Sequence, residues 1–417
     1  MGVSRRHLAV AAAGLLAAAC AGPGQTGGGG TGGGTAGAAF TPSGSASASA
    51  LASSGVPVTP ASPASSAPTA ATPGTGSPAP SPIASAGRGE GAVSVMALNG
   101  YAEWGGVDPK VKWVGTFEQD TGCKVSLRYY DPAQPEKPGD FDPSSFDVVS
   151  ATPVVGGRLI DERKVAPLNT ELLGDYDQIP ARLRDLPSVT RDDQVYGVPY
   201  LWGTNEVLYD SGKVRPGGPE AIFTDKGPVM FRDSPLTLAD AALVLKGRGA
   251  DIKDPFDLTP AQLAAAAALF EPGTPGRRLY WSNPIEVVQG FAARTVRLAQ
   301  GTPYHLDVLK RGHRPVKAVG DRPVTGWADS WMVSSSAAHP SCAYQWLDYT
   351  STADVQRKAS AWMGFAPANP GACTGRARRI CADYHVGEAR AFKGVVFATR
   401  PPGYDQWIDR WSRIAPR

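Results

Sequence analysis

An α/β fold with two domains is the architecture this sequence predicts. Three observations carry it. The folded part opens with a strand–helix–strand pattern, and β-prone and helical segments keep alternating to the C-terminus. Its length, about 330 residues from Gly91 to Arg417, exceeds what one hydrophobic core usually organises.

The elements follow in order. "VSVMALN" (Val93–Asn99) is a buried-strand pattern. In "DPKVKWVGTFEQDTG", Asp108 is placed to N-cap a helix, Pro109 suits its first position and Gly122 ends it. Val111, Val114 and Phe117 then share a face. "CKVSLRYY" and "FDVVSAT" read as the second and third strands, and this β-α-β start favours a parallel sheet. "YGVPYLWGTNEVLYD" (Tyr196–Asp210) is a long, aromatic, β-prone run. "DSPLTLADAALVLKGRG" turns and then becomes an Ala/Leu helix, and in "TPAQLAAAAALF" Thr259 and Gln262 are spaced as a capping box around Pro260. "VTGWADSWMV" (Val324–Val333) is an apolar strand that carries Asp329 between Trp327 and Trp331. Helices are expected from about Pro340, and from Thr352 to near Gly364. The last helix, "YDQWIDRWSRI", places Trp407, Ile408, Trp411 and Ile414 on one side.

The N-terminus reads as a targeting segment. Arg5 and Arg6 precede an apolar run from Leu8 to Ala19, which is too short for a stable membrane span, and then comes Cys20. Small residues leading into that cysteine resemble a bacterial lipobox, so residues 1–20 are expected to be a lipoprotein signal with Cys20 acylated. Ser4-Arg5-Arg6 also resembles a twin-arginine signal. Residues 21–91 are almost wholly Gly, Ala, Ser, Thr and Pro, a composition that buries too little apolar surface to offset ordering and reads as a tether. Without the signal the formal charge falls from +3 to about +1, which gives no support for nucleic-acid binding. Cys373 and Cys381, in "ACTGRARRIC", are spaced to staple a loop in an exported protein. Cys123 and Cys342 are left open between a second bridge and two buried thiols.

An ordered series of motifs carries a family resemblance: "NGYAEW", "TGCKV", "DVVSAT", "YGVPYLWGT", "RDSP", "GWADSWMV" and "GFAPAN". From Val93 to the C-terminus the chain resembles the extracellular solute-binding proteins of ABC importers, of the spermidine/putrescine-binding type. The resemblance implies a periplasmic-binding-protein-like fold, two α/β lobes joined by hinge strands with the ligand cleft between them. Crossings are expected near Trp202–Thr204, Gly326–Ser330 and Phe365–Asn369. Lobe 1 would then comprise residues 92–202 and 329–367, and lobe 2 residues 203–328 and 368–417. The function implied is capture of a small cationic solute, a polyamine such as putrescine or spermidine, for delivery to a membrane permease. A monomer without cofactor, held at the outer face of the cytoplasmic membrane by its lipid anchor, is expected.

A polyamine calls for carboxylates to pair with its ammonium groups and aromatic faces to cover its methylenes. By resemblance, Asp329 is the ammonium-binding acid and Trp327 the stacking ring. Asp233 is a second acid, although helix N-capping would also suit it. Tyr101 and Glu103 (with Trp104 beside them), Thr152, Trp281, Ser282, Tyr304 and Phe365 complete the implied set. Two departures bear on the ligand: Leu236 stands where the family often has another acid, and Thr302 where it often has a Trp. An amino acid, an opine-like compound or another amine is therefore the alternative ligand. A secreted hydrolase using Asp233 and Asp329 as a carboxylate pair, or a purely structural wall lipoprotein, is less well supported by the motifs. The five histidines have no metal spacing, and the chain carries no phosphate loop, nucleophile elbow or dinucleotide fingerprint.

Overall fold

The computed structural model describes residues 81–103, 112–130, 142, 145–270, 277–320 and 323–415. Strand β1 (Ala92–Leu98) is buried along most of its length, as a central parallel strand must be. The helix Val114–Thr121 turns Val114 and Phe117 inward and ends at Gly122, whose φ of 75° is left-handed and costs a glycine nothing. The cap expected at Asp108 and the residue Val111 lie outside the described residues. Strand β2 (Lys124–Tyr130) returns parallel to β1, with Ala92 opposite Lys124, and β3 (Val148–Ala151) lies parallel on the other edge of β1. A small hairpin, β4 (Thr190–Arg191) and β5 (Gln194–Val195), precedes β6 (Val198–Thr204), which is buried throughout. Only Asn205 separates β6 from β7 (Glu206–Asp210), so the long aromatic run is two strands, in different sheets.

The remaining strands are β8 (Val229–Arg232), β9 (Arg278–Trp281), β10 (Leu298–Gly301), β11 (Val316–Ala318), β12 (Val324–Val333), β13 (Ala366–Pro367) and β14 (Val395–Phe397). Among the described residues, the larger sheet runs β13-β6-β12-β3-β1-β2, with β14 parallel to the start of β12. The smaller runs β11-β7-β10-β8-β9. Helices cover both sheets, as parallel strands require. The capping box at Thr259 and Gln262 forms as expected. Thr352 caps the helix Ala353–Met363, which ends on left-handed Gly364. Trp407 and Trp411 of the terminal helix Tyr404–Ile414 are buried in the core of the smaller sheet.

The crossings differ in part from expectation. The chain leaves the larger sheet at Asn205 and re-enters it between β11 and β12, but Phe365–Asn369 is no crossing. There β13 pairs antiparallel with β6 inside the larger sheet. The next passage comes after β14, where Ala398 donates its N–H to the Gly326 carbonyl at 2.8 Å and its side chain joins the smaller core. Ile380, Tyr384, Ala391, Val395 and Phe397 accordingly lie in the larger core, although residues 368–417 were expected in the second lobe. Apolar surface decides this: these side chains close the underside of Trp202, whose ring meets Tyr384, Phe392 and Phe397.

Two disulfides tie the larger lobe. Cys373–Cys381 closes its loop, and Cys123–Cys342 joins the start of β2 to the helix Pro340–Ser351 across 219 residues of chain. The expected tether also ends earlier than Gly91. Glu90 accepts the backbone N–H groups of Ser341 and Cys342, both at 2.9 Å, at the N-terminus of that helix, and Ile83 packs on the larger core.

Candidate functional site

Most of the predicted site sits at the carboxyl ends of parallel strands, where an open α/β sheet presents its loops to a crevice. Tyr101 follows β1 and Thr152 follows β3 in the larger sheet. Arg232 ends β8, and Asp233 follows it. Trp281 ends β9, with Ser282 next. The two sets meet over β12, which carries Trp327 and Asp329. A cavity of about 470 Å³ lies there, and all of these residues line it together with Phe365.

Asp329 forms its floor. The residue is 4 % exposed and receives a hydrogen bond from the Tyr101 hydroxyl. Burial, followed by the charge of Asp329 and that hydrogen bond, holds the Tyr101 phenol well above its usual range, so Tyr101 is a permanent neutral donor. Tyr101 is itself fixed: its ring packs against that of Tyr200, whose hydroxyl donates to the Tyr101 carbonyl at 3.0 Å. Beside Asp329, the β6–β12 ladder slips by one residue, Asp329 facing Leu201 and Ser330 facing Pro199. Such a bulge bends a strand and re-aims its side chains.

Aromatic rings form the walls. Trp327 is 8 % exposed, lies across Gly203 and meets the Phe365 ring edge-on at 5.5 Å. Trp281 donates its indole N–H to the Gln300 carbonyl at 3.0 Å, which orients the ring. His305 lies against it, its Nε2 2.9 Å from the Pro284 carbonyl, and burial pulls its pKa down to about 4, so it is neutral at pH 7. Trp331, further along β12, is fully buried against Tyr200 and Trp346 and belongs to the core.

The two acids differ in situation. Asp233 accepts the Trp411 indole N–H at 2.7 Å, which ties the terminal helix to the cleft. It also lines the cavity, so it has both a structural tie and exposure to a ligand. Thr152 likewise has two roles: its hydroxyl caps the helix Pro153–Asp161 by accepting the Val155 N–H, and it faces the cleft.

Two predicted residues are elsewhere. Glu103 turns away with a left-handed φ of 54° and caps the helix Val114–Thr121, accepting the N–H groups of Trp113 at 2.6 Å and Val114 at 3.1 Å. Four orphan N–H groups at a helix start attract a carboxylate more strongly than an open cleft does. Tyr304 is not in the lining; its ring lies against Gly364, packed on the larger core. Trp104 lies outside the described residues, as does Cys20. Tyr129 and Tyr130 donate to the carbonyls of Glu103 and Ser150, each at 2.6 Å, and so serve as packing groups. Among the described residues no cluster of three or more His, Cys, Asp or Glu is placed to hold a metal.

Among the cleft residues that were not anticipated, Arg232 stands out by its charge. Arg232 points its guanidinium at the Trp327 ring (5.3 Å to the centroid) and the Trp281 ring (5.8 Å). Its neighbouring charges are Asp329 on the cleft side and Asp240 behind it. The backbone is held by Gln300, whose amide oxygen accepts the Arg232 N–H at 2.9 Å while its NH2 group donates to Asp240. The available signal was its place as the last residue of a buried parallel strand, directly before the acid that drew attention.

Two α/β lobes bridged by strands, with an acid and aromatic rings converging in the crevice, define a solute-binding protein of the periplasmic type. Residues 112–377 match the model of the bacterial extracellular solute-binding proteins, and the chain belongs to that family. A putrescine/agmatine-binding protein of Pseudomonas aeruginosa is 25% identical over 278 residues, covering 61% of this chain and 74% of that one. Among solved structures, a putative spermidine/putrescine ABC transporter protein from Listeria monocytogenes superposes with a TM-score of 0.62 at 16% identity, covering 78% of this chain and 98% of that one. A GABA receptor superposes with a TM-score of 0.60 at 15% identity, over the same shares. The family is one of substrate-binding transport proteins.

Proposed function

We propose that this chain captures an aliphatic ammonium compound, the class that includes polyamines and amino acids of similar skeleton, and hands it to an ABC permease. The Asp329 carboxylate carries this reading. It is buried, its geometry is fixed by the Tyr101 donor, and it opens into a cavity walled by Trp327, Trp281 and Phe365. An ammonium group there gains a charge-assisted hydrogen bond, and the rings cover the attached methylenes. Closure of the lobes about the strand crossings would exclude water and mark the loaded state for the permease. The chain acts without covalent chemistry, as an exported monomer anchored through Cys20.

Titration calorimetry of a tetherless protein against putrescine, spermidine, agmatine, ornithine, arginine and 4-aminobutyrate tests this. At least one amine should bind, and Asp329→Asn should weaken it by about ten- to a hundred-fold, the worth of one charge-assisted hydrogen bond. The melting temperature should change little, because the asparagine still accepts from Tyr101. Binding of sugars alone, or undiminished amine binding by Asp329→Asn, would overturn the reading.

A further inference from the structure

Arg232 gives the cleft a fixed cation, and nothing in the reading above uses it. Among the described residues, its guanidinium meets two indole faces and forms no hydrogen bond or ion pair with a carboxylate. Arg232 is among the residues that line the cavity, and its guanidinium is a planar set of five N–H donors. Rings stacked on a guanidinium leave its edge available, and that edge matches a carboxylate in bidentate geometry. A ligand that is cationic throughout would lie beside this charge with no group of its own to meet it, at a cost that rises as closure removes water.

We infer that the natural ligand is an amine that also bears a carboxylate, and that Arg232 is the residue that binds the acid end. The inference rests on the ammonium site at Asp329. Asp233 and Asp329 are the acids of the described lining, His305 is neutral, and the Arg232 charge is faced by Asp329 and Asp240. A ligand carboxylate would add a partner to Arg232 that a diamine does not supply.

Gln300 and Asp240 set the arginine in place from behind. Gln300 holds the Arg232 backbone and bonds Asp240 through its side chain, while Asp240 also accepts from Thr325 at 2.6 Å, on the first part of β12. The acid-binding group is thereby joined to the strand that carries Asp329, so both ends of the ligand would be read from one connected framework.

Two ligand pairs that differ by a single carboxylate test this: putrescine against ornithine, and agmatine against arginine. Calorimetry should find the acid-bearing member of at least one pair bound about ten-fold more tightly, or more. Arg232→Gln should lose that preference, and Arg232→Lys should keep part of it, since a point charge replaces the fork. If Arg232→Gln does not fold, the wild-type ranking and Arg232→Lys still decide. Putrescine and agmatine each binding at least as tightly as its acid-bearing partner, or Arg232→Gln keeping the full preference, would overturn the inference while leaving the ammonium site intact. Failure of every amine to bind would remove the underlying reading itself.

Discussion

Gly203→Ala is the most direct test of how the cleft wall is built. Gly203 faces Trp327 across the β6–β12 ladder, and a Cβ there would lie 2.5 Å from both Cη2 and Cζ2 and 3.1 Å from Cε2 of the indole. Non-bonded carbons rest at about 3.5–4.0 Å, so the ring would have to retreat by roughly 1 Å. It can move only toward the cleft, where Phe365 and Arg232 already stand against it. Overpacking of this kind costs about 1–3 kcal/mol. At about 2–4 °C per kcal/mol for a domain of this size, the melting temperature should fall by several degrees. Ligand affinity should fall as well, because the displaced ring no longer covers the methylenes. Trp327→Leu in the Gly203→Ala background removes the clash, so the two substitutions should be non-additive in a thermal melt. Gly115→Ala is the control: among the described residues no atom beyond its own helix and chain neighbours lies within 4 Å of its added Cβ, and a helical Gly→Ala should stabilise by up to about 1 kcal/mol. If Gly203→Ala melts and binds like the unaltered protein, the ring is not wedged against the strand and the account of the wall is wrong.

Two further outcomes are expected. Burial raises the carboxyls of Glu206 and Asp240 to about 7, far above their unfolded range, so the folded protein binds protons that the unfolded chain has released. Their contribution to stability is full below the unfolded pKa and is lost as pH rises through about 7, so melting temperature should decline from pH 5 to pH 8. Glu206→Gln with Asp240→Asn should flatten that slope; a slope unchanged in the double variant would refute the assignment. The disulfides should be unequal. By loop-closure entropy, losing Cys123–Cys342 costs about 5.4 kcal/mol and losing Cys373–Cys381 about 2.5 kcal/mol, readable in melts of the paired Cys→Ser variants. Equal losses would point to strain or residual structure in the unfolded chain.

Much of the architecture was legible locally. Strand burial, the Thr259 capping box, the Gly122 and Gly364 terminators and the Trp407/Trp411 face depend on residues a few positions apart, so the pattern itself carries the information. Asp329 stood out for the same reason, as a carboxylate inside an apolar strand. Side-chain direction after a strand end is another matter. Tyr101 and Glu103 are two residues apart in one motif, yet one reaches Asp329 and the other caps a helix. The left-handed backbone at Glu103 and the unfilled N–H groups at Trp113 and Val114 make that choice, and neither is written in the motif.

By itself, then, the sequence determined an α/β chain, the ordered motifs of a solute-binding family and the acid on its crossing strand. Tertiary structure alone decided that Cys123 meets Cys342, that the chain up to Phe397 closes the larger lobe, and that Arg232 stands between Trp281 and Trp327. The physical reason is range. Helix caps and strand alternation act over a few residues, whereas the charge balance of a cleft is summed over strands some hundred residues apart. A strand-terminal arginine looks the same in sequence whether water or a pair of indoles will surround it, and only the packing of the two sheets makes it a candidate for the ligand's acid end.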